Sequence, residues 1–267
     1  MKVNNKVVVV TGAGSGMGRQ LTLELVRRGA SVAAIDLRKE TLAETKKLAA
    51  ELNGKVETFV VDITDNAKVI SLPAKIEKTL GKIDALINNA GIIQPFVHVS
   101  ELSLESAHRV MDVNFTGPLQ MVKAFLPGLL NRPEAHILNV SSMGAYAPVP
   151  GQTVYGASKA AINLFTQGLR SELLATKVGV TVAFPGAINT NIAQNSGMAM
   201  PAGGDAAASK FKMTEAPVAA KMMVDAIEAN KPRITIGSDA TMMDRLSRLN
   251  PVMAANIIYK QMASLLK

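Results

Sequence analysis

The stretch "KVVVVTGAGSGMGRQ", residues 6–20, runs from an unbroken β-branched segment through glycines 12, 14, 16 and 18 into a helix-forming sequence. Consecutive valines fit a strand buried on both faces, the habit of a parallel sheet. A strand that turns sharply into a helix leaves amide hydrogens unpaired and points the positive end of the helix dipole outward. Glycines in such a turn let a pyrophosphate approach the backbone closely. The spacing departs from G-x-G-x-x-G, because Met17 stands where the third glycine would fall; Gly12, Gly16 and Gly18 give G-x-x-x-G-x-G instead. A glycine-rich turn that binds nothing is the plainer alternative.

Six further short runs follow: "SVAAID" (31–36), "VETFVVD" (56–62), "IDALINNA" (83–90), "AHILNVSS" (135–142), "GVTVAFPG" (179–186) and "RITIG" (233–237). Between them lie amphipathic stretches at 19–28, 41–52, 67–80, 104–130, 154–175 and 216–229, each long enough for a crossover helix. This alternation predicts an α/β fold with a doubly wound parallel sheet, in one dinucleotide-binding and catalytic domain over 1–267. Ligands of such sheets sit beyond the carboxyl ends of the strands. The segment 191–214, rich in Ala, Gly and Met, is longer than an ordinary connection and reads as a substrate lid. The tail, 240–267, suggests two short amphipathic helices interrupted at Pro251, used for subunit packing rather than for a lipid surface.

Composition narrows the function classes. Lysine and arginine number 29 against 21 acidic residues, a formal net charge of +8, but the basic residues are scattered and aromatics make up only 4%. That leaves neither a dense patch nor a stacking platform for nucleic acid, so the surplus reads as solvated surface charge. The chain has no cysteine, which removes disulfides, thiolate nucleophiles and cysteine-ligated zinc. His98, His108 and His136 share no metal-ligand spacing and read as ordinary surface or loop histidines, so no metal is expected. "MKVNNKVVVV" does not read as a signal peptide, and no run approaches the roughly 18 apolar residues of a membrane span. A cytoplasmic protein is expected.

Asp36 ends the second run, where a carboxylate can accept hydrogen bonds from an adenosine ribose and repel a 2′-phosphate. Ser15, not a basic residue, precedes Gly16, which also argues for NAD over NADP, although Arg38 and Lys39 lie close by. Asp62 ends the third run and either meets the adenine edge or starts a loop. In "TVYGASKAAINLF" (153–165), Tyr155 and Lys159 are i and i+4 neighbours on one helix face, above the small residues Gly156, Ala157 and Ser158. A free phenol titrates near about 10, and a neighbouring cation brings it closer to neutrality, so the pair can exchange a proton with an alcohol or carbonyl. A tyrosine packed on a lysine stem is the alternative.

The glycine turn, "NNAG" (88–91), Asn114, Ser142, "YGASK" (155–159) and "PGAINT" (185–190) occur in one order from about Val7 to Thr190. Together they resemble the short-chain dehydrogenase/reductase family. The resemblance implies a seven-stranded Rossmann-type sheet, a homodimer or homotetramer, and a tetrad of Asn114, Ser142, Tyr155 and Lys159. It implies that Tyr155 moves a proton to or from the substrate oxygen, that Ser142 hydrogen-bonds that oxygen, and that Lys159 grips the nicotinamide ribose. Asn114 would hold a water linking Lys159 to solvent. Gly12, Ser15, Met17 and Gly18 would line the pyrophosphate site, and Asn89, Ile188 and Thr190 would meet the ribose or nicotinamide. Gly16, Asp36, Asp62, Ile63, Ala90, Gly91, Pro185 and Gly186 complete the expected cofactor set.

The pocket segments 91–98 and 143–152 are poor in charge, which predicts an uncharged, fairly apolar secondary alcohol or ketone. Gln94, Met143 and Gln152 are the expected specificity contacts beside Ser142 and Tyr155. The alternatives are an NADPH-dependent carbonyl reductase and, in another class, a non-catalytic dinucleotide-sensing regulator.

Overall fold

Every β-branched run of the sequence is a strand, because an apolar segment with helices before and after it buries most completely inside a parallel sheet. The computed structural model describes residues 1–190, 192–196 and 213–266. The chain runs β1 (Val7–Thr11), α1 (Gly16–Arg27), β2 (Ser31–Asp36), α2 (Lys39–Ala50), β3 (Val56–Val60), α3 (Asn66–Leu80) and β4 (Ala85–Asn88). It continues through α4 (Leu104–Met111), α5 (Gly117–Leu130), β5 (Ala135–Val140), α6 (Thr153–Leu173), β6 (Val178–Pro185), β7 (Ile188–Asn189) and α7 (Ile192–Asn195). β8 (Thr214–Glu215), α8 (Ala216–Glu228), β9 (Arg233–Ile236), α9 (Ser238–Leu249) and α10 (Pro251–Met262) complete the described elements.

Seven strands form one parallel sheet in the order β3-β2-β1-β4-β5-β6-β9. The winding reverses between β1 and β4, where Val10 pairs with both Ala34 of β2 and Ile87 of β4. That reversal opens a crevice at the carboxyl ends of the central strands. One core lies between the sheet and α1 and α8, with Val8, Val10, Leu21, Leu25, Ile87 and Met223 buried together. The other lies on the opposite face with Val9, Ile35, Ile76, Leu86, Met121 and Leu169. Each such side chain contributes about 1.5–3 kcal/mol relative to exposure, and the two cores together hold the strand ends in place.

Two expectations need correction, those for the stretch 104–130 and for His136. The stretch 104–130 is not one helix: residues Asp112–Thr116 form a π turn between α4 and α5, closed by the Gly117 amide on the Asp112 carbonyl. Pro118 explains part of this, since it has no N–H to return to the carbonyl four residues earlier, that of Asn114. The tail uses its buried face within the chain, where Met243, Ala254 and Ile258 pack on Ala147, Met143, Tyr146 and Val149. The Tyr146 hydroxyl donates to the Ala240 carbonyl at 2.9 Å. The outer side of these helices keeps Leu249, Val252 and Tyr259 exposed. Of the expected lid, residues 191 and 197–212 lie outside the described residues. No helix among the described residues is long and apolar enough to cross a membrane.

The second correction concerns His136. It is buried in β5, opposite Gly179 of β6, and its Nε2 lies 2.8 Å from the Thr181 hydroxyl. Gly179 leaves room for the ring, since a Cβ there would press on the imidazole. Burial drives the His136 pKa down from 6.5 to about 3. The unfolded state therefore binds more protons between these values, and stability present above pH 6.5 is lost as pH falls towards 3. His136→Gln is expected to flatten the decline of unfolding free energy between pH 7 and 5 by up to about 1.4 kcal/mol per pH unit, measured by urea unfolding.

Candidate active site

The site is assembled at the carboxyl ends of β1, β4 and β5, where backbone amides leave the sheet ladder and need other partners. The Thr11 hydroxyl supplies one: it accepts from the amides of Asn89 and Ala90 at 3.0 and 3.1 Å. The Asn89 side-chain amide donates in turn to the Thr11 carbonyl at 3.0 Å. The loop after β4 is thereby fixed against the glycine turn after β1. Gly12 has φ +67 and a Cβ there would meet the Ala90 Cα at 2.9 Å, while a Cβ on Gly18 would collide with the Gly12 carbonyl. The turn is closed only because these two positions carry no side chain.

Between these loops and β2 and β3 lies a cleft of about 360 Å³. Gly12, Ser15, Gly16, Met17, Gly18, Asp36, Asp62, Ile63, Asn89, Ala90, Gly91 and Thr190 line it, all expected from sequence. Arg38, noted beside Asp36 in the sequence, also lines it, as do Ile92, Arg109, Val113 and Ile192, which were not expected. Arg109 and Val113 stand i and i+4 at the end of α4 and the start of the π turn, so the residues one turn either side of a singled-out helical site were the available signal. One oxygen of Asp36 accepts from the Gly14 amide at 2.9 Å and the other from the Arg38 amide at 3.1 Å. The Arg38 guanidinium donates to the Ser15 hydroxyl at 3.2 Å, across the mouth of the cleft. Asp62 accepts from the amide and hydroxyl of Thr64 at 2.8 and 2.7 Å.

Next to the cleft stand Ser142, Tyr155 and Lys159. Ser142 follows β5, its oxygen accepting from the Gly144 amide at 3.0 Å on the side of Gly144 where the Tyr155 ring also lies. Gly144 and Gly156 allow this approach: a Cβ on Gly144 would stand 3.3 Å from the Tyr155 ring, and one on Gly156 3.0 Å from the Gly144 carbonyl. Lys159 is only 4% exposed; its ammonium donates to the Val140 carbonyl at 3.1 Å and lies 5.8 Å from the centre of the Tyr155 ring. The Ser141 hydroxyl donates to the Lys159 carbonyl at 2.7 Å, pinning α6 to β5. Burial pushes the Tyr155 phenol above its ordinary range, and the neighbouring Ser142 hydroxyl acts in the opposite direction. Burial also lowers Lys159 from 10.5 to about 8. The expectation that the lysine depresses the phenol is thus not met by the protein's own groups, in which desolvation of both side chains prevails.

The side chain of Asn114, buried in the π turn, accepts from the Ile92 amide at 2.9 Å and donates to the Ile92 carbonyl at 2.9 Å and the Ser158 hydroxyl at 3.0 Å. It joins the loop after β4 to the helix that carries Tyr155.

The family model for short chain dehydrogenases matches residues 6–200. The chain belongs to the short chain dehydrogenase family. A Mycobacterium tuberculosis protein that carries the oxidoreductase name SadH is 34% identical over 250 residues, 91% of this chain and 90% of that one. The 3-oxoacyl-[acyl-carrier-protein] reductase FabG of Thermotoga maritima is 35% identical over 190 residues, 71% of this chain and 77% of that one. Among solved structures, a short chain dehydrogenase/reductase from Burkholderia phymatum in complex with NAD superimposes with TM-score 0.86 at 25% identity, covering 95% of this chain and 96% of that one. A short chain dehydrogenase from Burkholderia cenocepacia J2315 in complex with NADP gives 0.80 at 28% identity, covering 97% and 99%.

A nicotinamide dinucleotide, the cofactor of short chain dehydrogenases, suits the cleft on its own features: the two glycine positions that admit no Cβ, and the buried Asn89 Oδ1, which has no partner among the described residues. Five expected cofactor residues, Tyr155, Lys159, Pro185, Gly186 and Ile188, are not part of its lining, the first two standing beside it. Gly186 faces Asp239, whose carboxylate a Cβ would strike, and Ile188 packs against the core beside α1. Two expected substrate contacts are also corrected. Gln94 is completely buried with both ends of its amide bonded to backbone, and Gln152 is buried with its amide donating to the Gln94 carbonyl at 2.7 Å. Met143 packs with the tail. Among the described residues no group of histidine, aspartate or glutamate is placed to hold a metal ion.

Lys159 holds a charge in a dry site below pH 8, so the fold loses stability as pH falls from 10.5 through about 8. Lys159→Met is therefore expected to raise Tm at pH 7 by about 2–6 °C. The gain should narrow as the melts are taken from pH 8 towards 10.5.

Proposed function

We propose that the protein transfers hydride between NAD and an uncharged, fairly apolar secondary alcohol or ketone, with Tyr155 as general acid and base. The observation that carries this reading is Tyr155 standing between Ser142 and the buried Lys159, next to a cleft that suits a dinucleotide. Bound NAD(H) accepts or supplies the hydride. In reduction, the Tyr155 hydroxyl gives its proton to the oxygen on which negative charge develops; in oxidation it takes that proton back. Ser142, fixed by the Gly144 amide, donates to the same oxygen. Lys159 meets the nicotinamide ribose and favours the phenolate when Tyr155 has given up its proton. The apolar character of the substrate is supported by the segments 91–98 and 143–152, which contain no aspartate, glutamate, lysine or arginine. The assembly this reading carries is a homodimer or homotetramer.

Asp36 supports NAD, since its carboxylate stands in the cleft lining between β2 and the glycine turn. A second reading, NADPH-dependent carbonyl reduction, is favoured by the Arg38 guanidinium at the same mouth and by the NADP bound to the Burkholderia cenocepacia relative.

Reduction of acetophenone and cyclohexanone, set against a dicarboxylate and a sugar phosphate and followed at the nicotinamide absorbance band, tests the substrate class; clear preference for the charged compounds overturns it. Tyr155→Phe is expected to lower kcat by roughly 10²–10⁴ while NADH binding, measured by fluorescence, stays within about twofold. Asp36→Ala should move the ratio of kcat/KM for NADH over NADPH towards NADPH by about tenfold, the equivalent of one lost charge repulsion near 1.4 kcal/mol; an unchanged ratio contradicts the role given to Asp36.

A further inference from the structure

The first turn of α6 lacks the cap that a helix start normally brings with it. Its preceding residue, Gln152, makes no side-chain hydrogen bond to the turn, and the turn contains no acidic residue. The amides of Val154 and Tyr155, unpaired within the helix, are satisfied from a distant segment. Gln94 Oε1 accepts from Val154 N at 2.7 Å and from Tyr155 N at 3.0 Å. The other end of the same side chain donates to the Gly151 carbonyl at 2.9 Å, and Gln152 donates to the Gln94 carbonyl at 2.7 Å. Gln94 has 0% exposure. The amide is thus wholly spent on the backbone from which Tyr155 projects.

The neighbours of Gln94 are held as firmly. Ile92 is bonded through both its amide and its carbonyl to Asn114, and the Ile93 amide donates to the Ser196 hydroxyl at 3.1 Å. Three consecutive residues of the loop after β4 therefore bind three separate walls of the site. Gly151, at φ +76, lets the chain before α6 pass close over Phe96, where a Cβ would approach the Phe96 backbone to 3.3 Å. The loop that floors the cleft and the helix that carries the phenol cannot move independently.

Resting on the reading of Tyr155 given above, we propose that Gln94 is the positioning residue for Tyr155. It is a cap supplied by another segment, which fixes the height and rotation of the phenol relative to the cleft. Chemistry selects glutamine here. Its neutral oxygen satisfies two amides without placing a negative charge at the helix start, so the positive end of the α6 dipole continues to favour a phenolate at its third residue. Serine or asparagine, usual caps when they directly precede a helix, have shorter side chains than glutamine for bridging from the loop after β4.

Gln94→Met keeps the side chain's length and removes all three of its hydrogen bonds. With NADH and whichever of acetophenone and cyclohexanone is reduced faster, kcat is expected to fall on the order of 30-fold, as displacement of a reacting group does. KM and the fluorescence Kd for NADH should hold within about twofold, because the cofactor cleft is not touched. The double variant Gln94→Met/Tyr155→Phe should retain the residual rate of Tyr155→Phe alone, since a residue that acts through the phenol has no effect once the phenol is gone. A wild-type kcat in Gln94→Met overturns the proposal, and so does a further fall of about tenfold in the double variant. Full turnover by Tyr155→Phe instead defeats the reading of the site, whatever Gln94 does. If Gln94→Met does not fold, Gln152→Met is measured in its place: a kcat loss of about threefold or more at constant NADH affinity supports the role, and an unchanged kcat overturns it.

Discussion

One hydroxyl group at the end of the first strand holds the mouth of the sheet in shape. Thr11 takes the amides of Asn89 and Ala90, and its own carbonyl takes the Asn89 side chain. Without these bonds, the two central strands would end in loops with buried, unpaired amides, each costing about 1–3 kcal/mol. With them, the glycine turn and the loop after β4 become one rigid rim. The cleft, the Asn114 tether and the Gln94 cap are all built outward from that rim. The order of the sheet places the reversal of winding here, so the least satisfied backbone of the fold coincides with its ligand crevice.

Most of the fold was legible because parallel strands covered on both faces write themselves as uninterrupted apolar runs. All seven strands of the sheet fall within two residues of the expected ends, and the residues just beyond β1 to β4 line the cleft as anticipated. What was illegible depended on partners far away in sequence. Periodicity carried 104–130 through as a helix because a π turn adds only one residue to a turn, too small a slip to disturb the apolar pattern. Gln94 and Gln152 read as polar groups waiting for a ligand, since nothing local tells that an amide at 94 has its partners at 151, 154 and 155. His136 read as a surface residue because its companion, the empty place above Gly179, lies on another strand.

The ionisable groups show a common effect of the same close packing. Burial is the largest cause that lowers Lys159 and His136 and raises Tyr155, each in the direction that disfavours charge. For His136 that ends the matter: a neutral ring bonded to Thr181 is a packing element. For Tyr155 and Lys159 the same desolvation acts on groups whose neighbours are Ser142, the Val140 carbonyl and the start of α6. Their environment is set by fixed dipoles more than by formal charges, which is the arrangement in which small displacements have large electrostatic effects.

The last two helices lie on residues 143–149, joined to them by apolar contacts and by the bond from Tyr146 to the Ala240 carbonyl. That surface is shaped by side chains about a hundred positions downstream, while the rim around Thr11 owes them nothing. The molecule thus keeps its tuning and its engine on different parts of the chain. Changes in the closing helices therefore reach the segment between Ser142 and α6 first, and leave the bonds at the strand ends as they were.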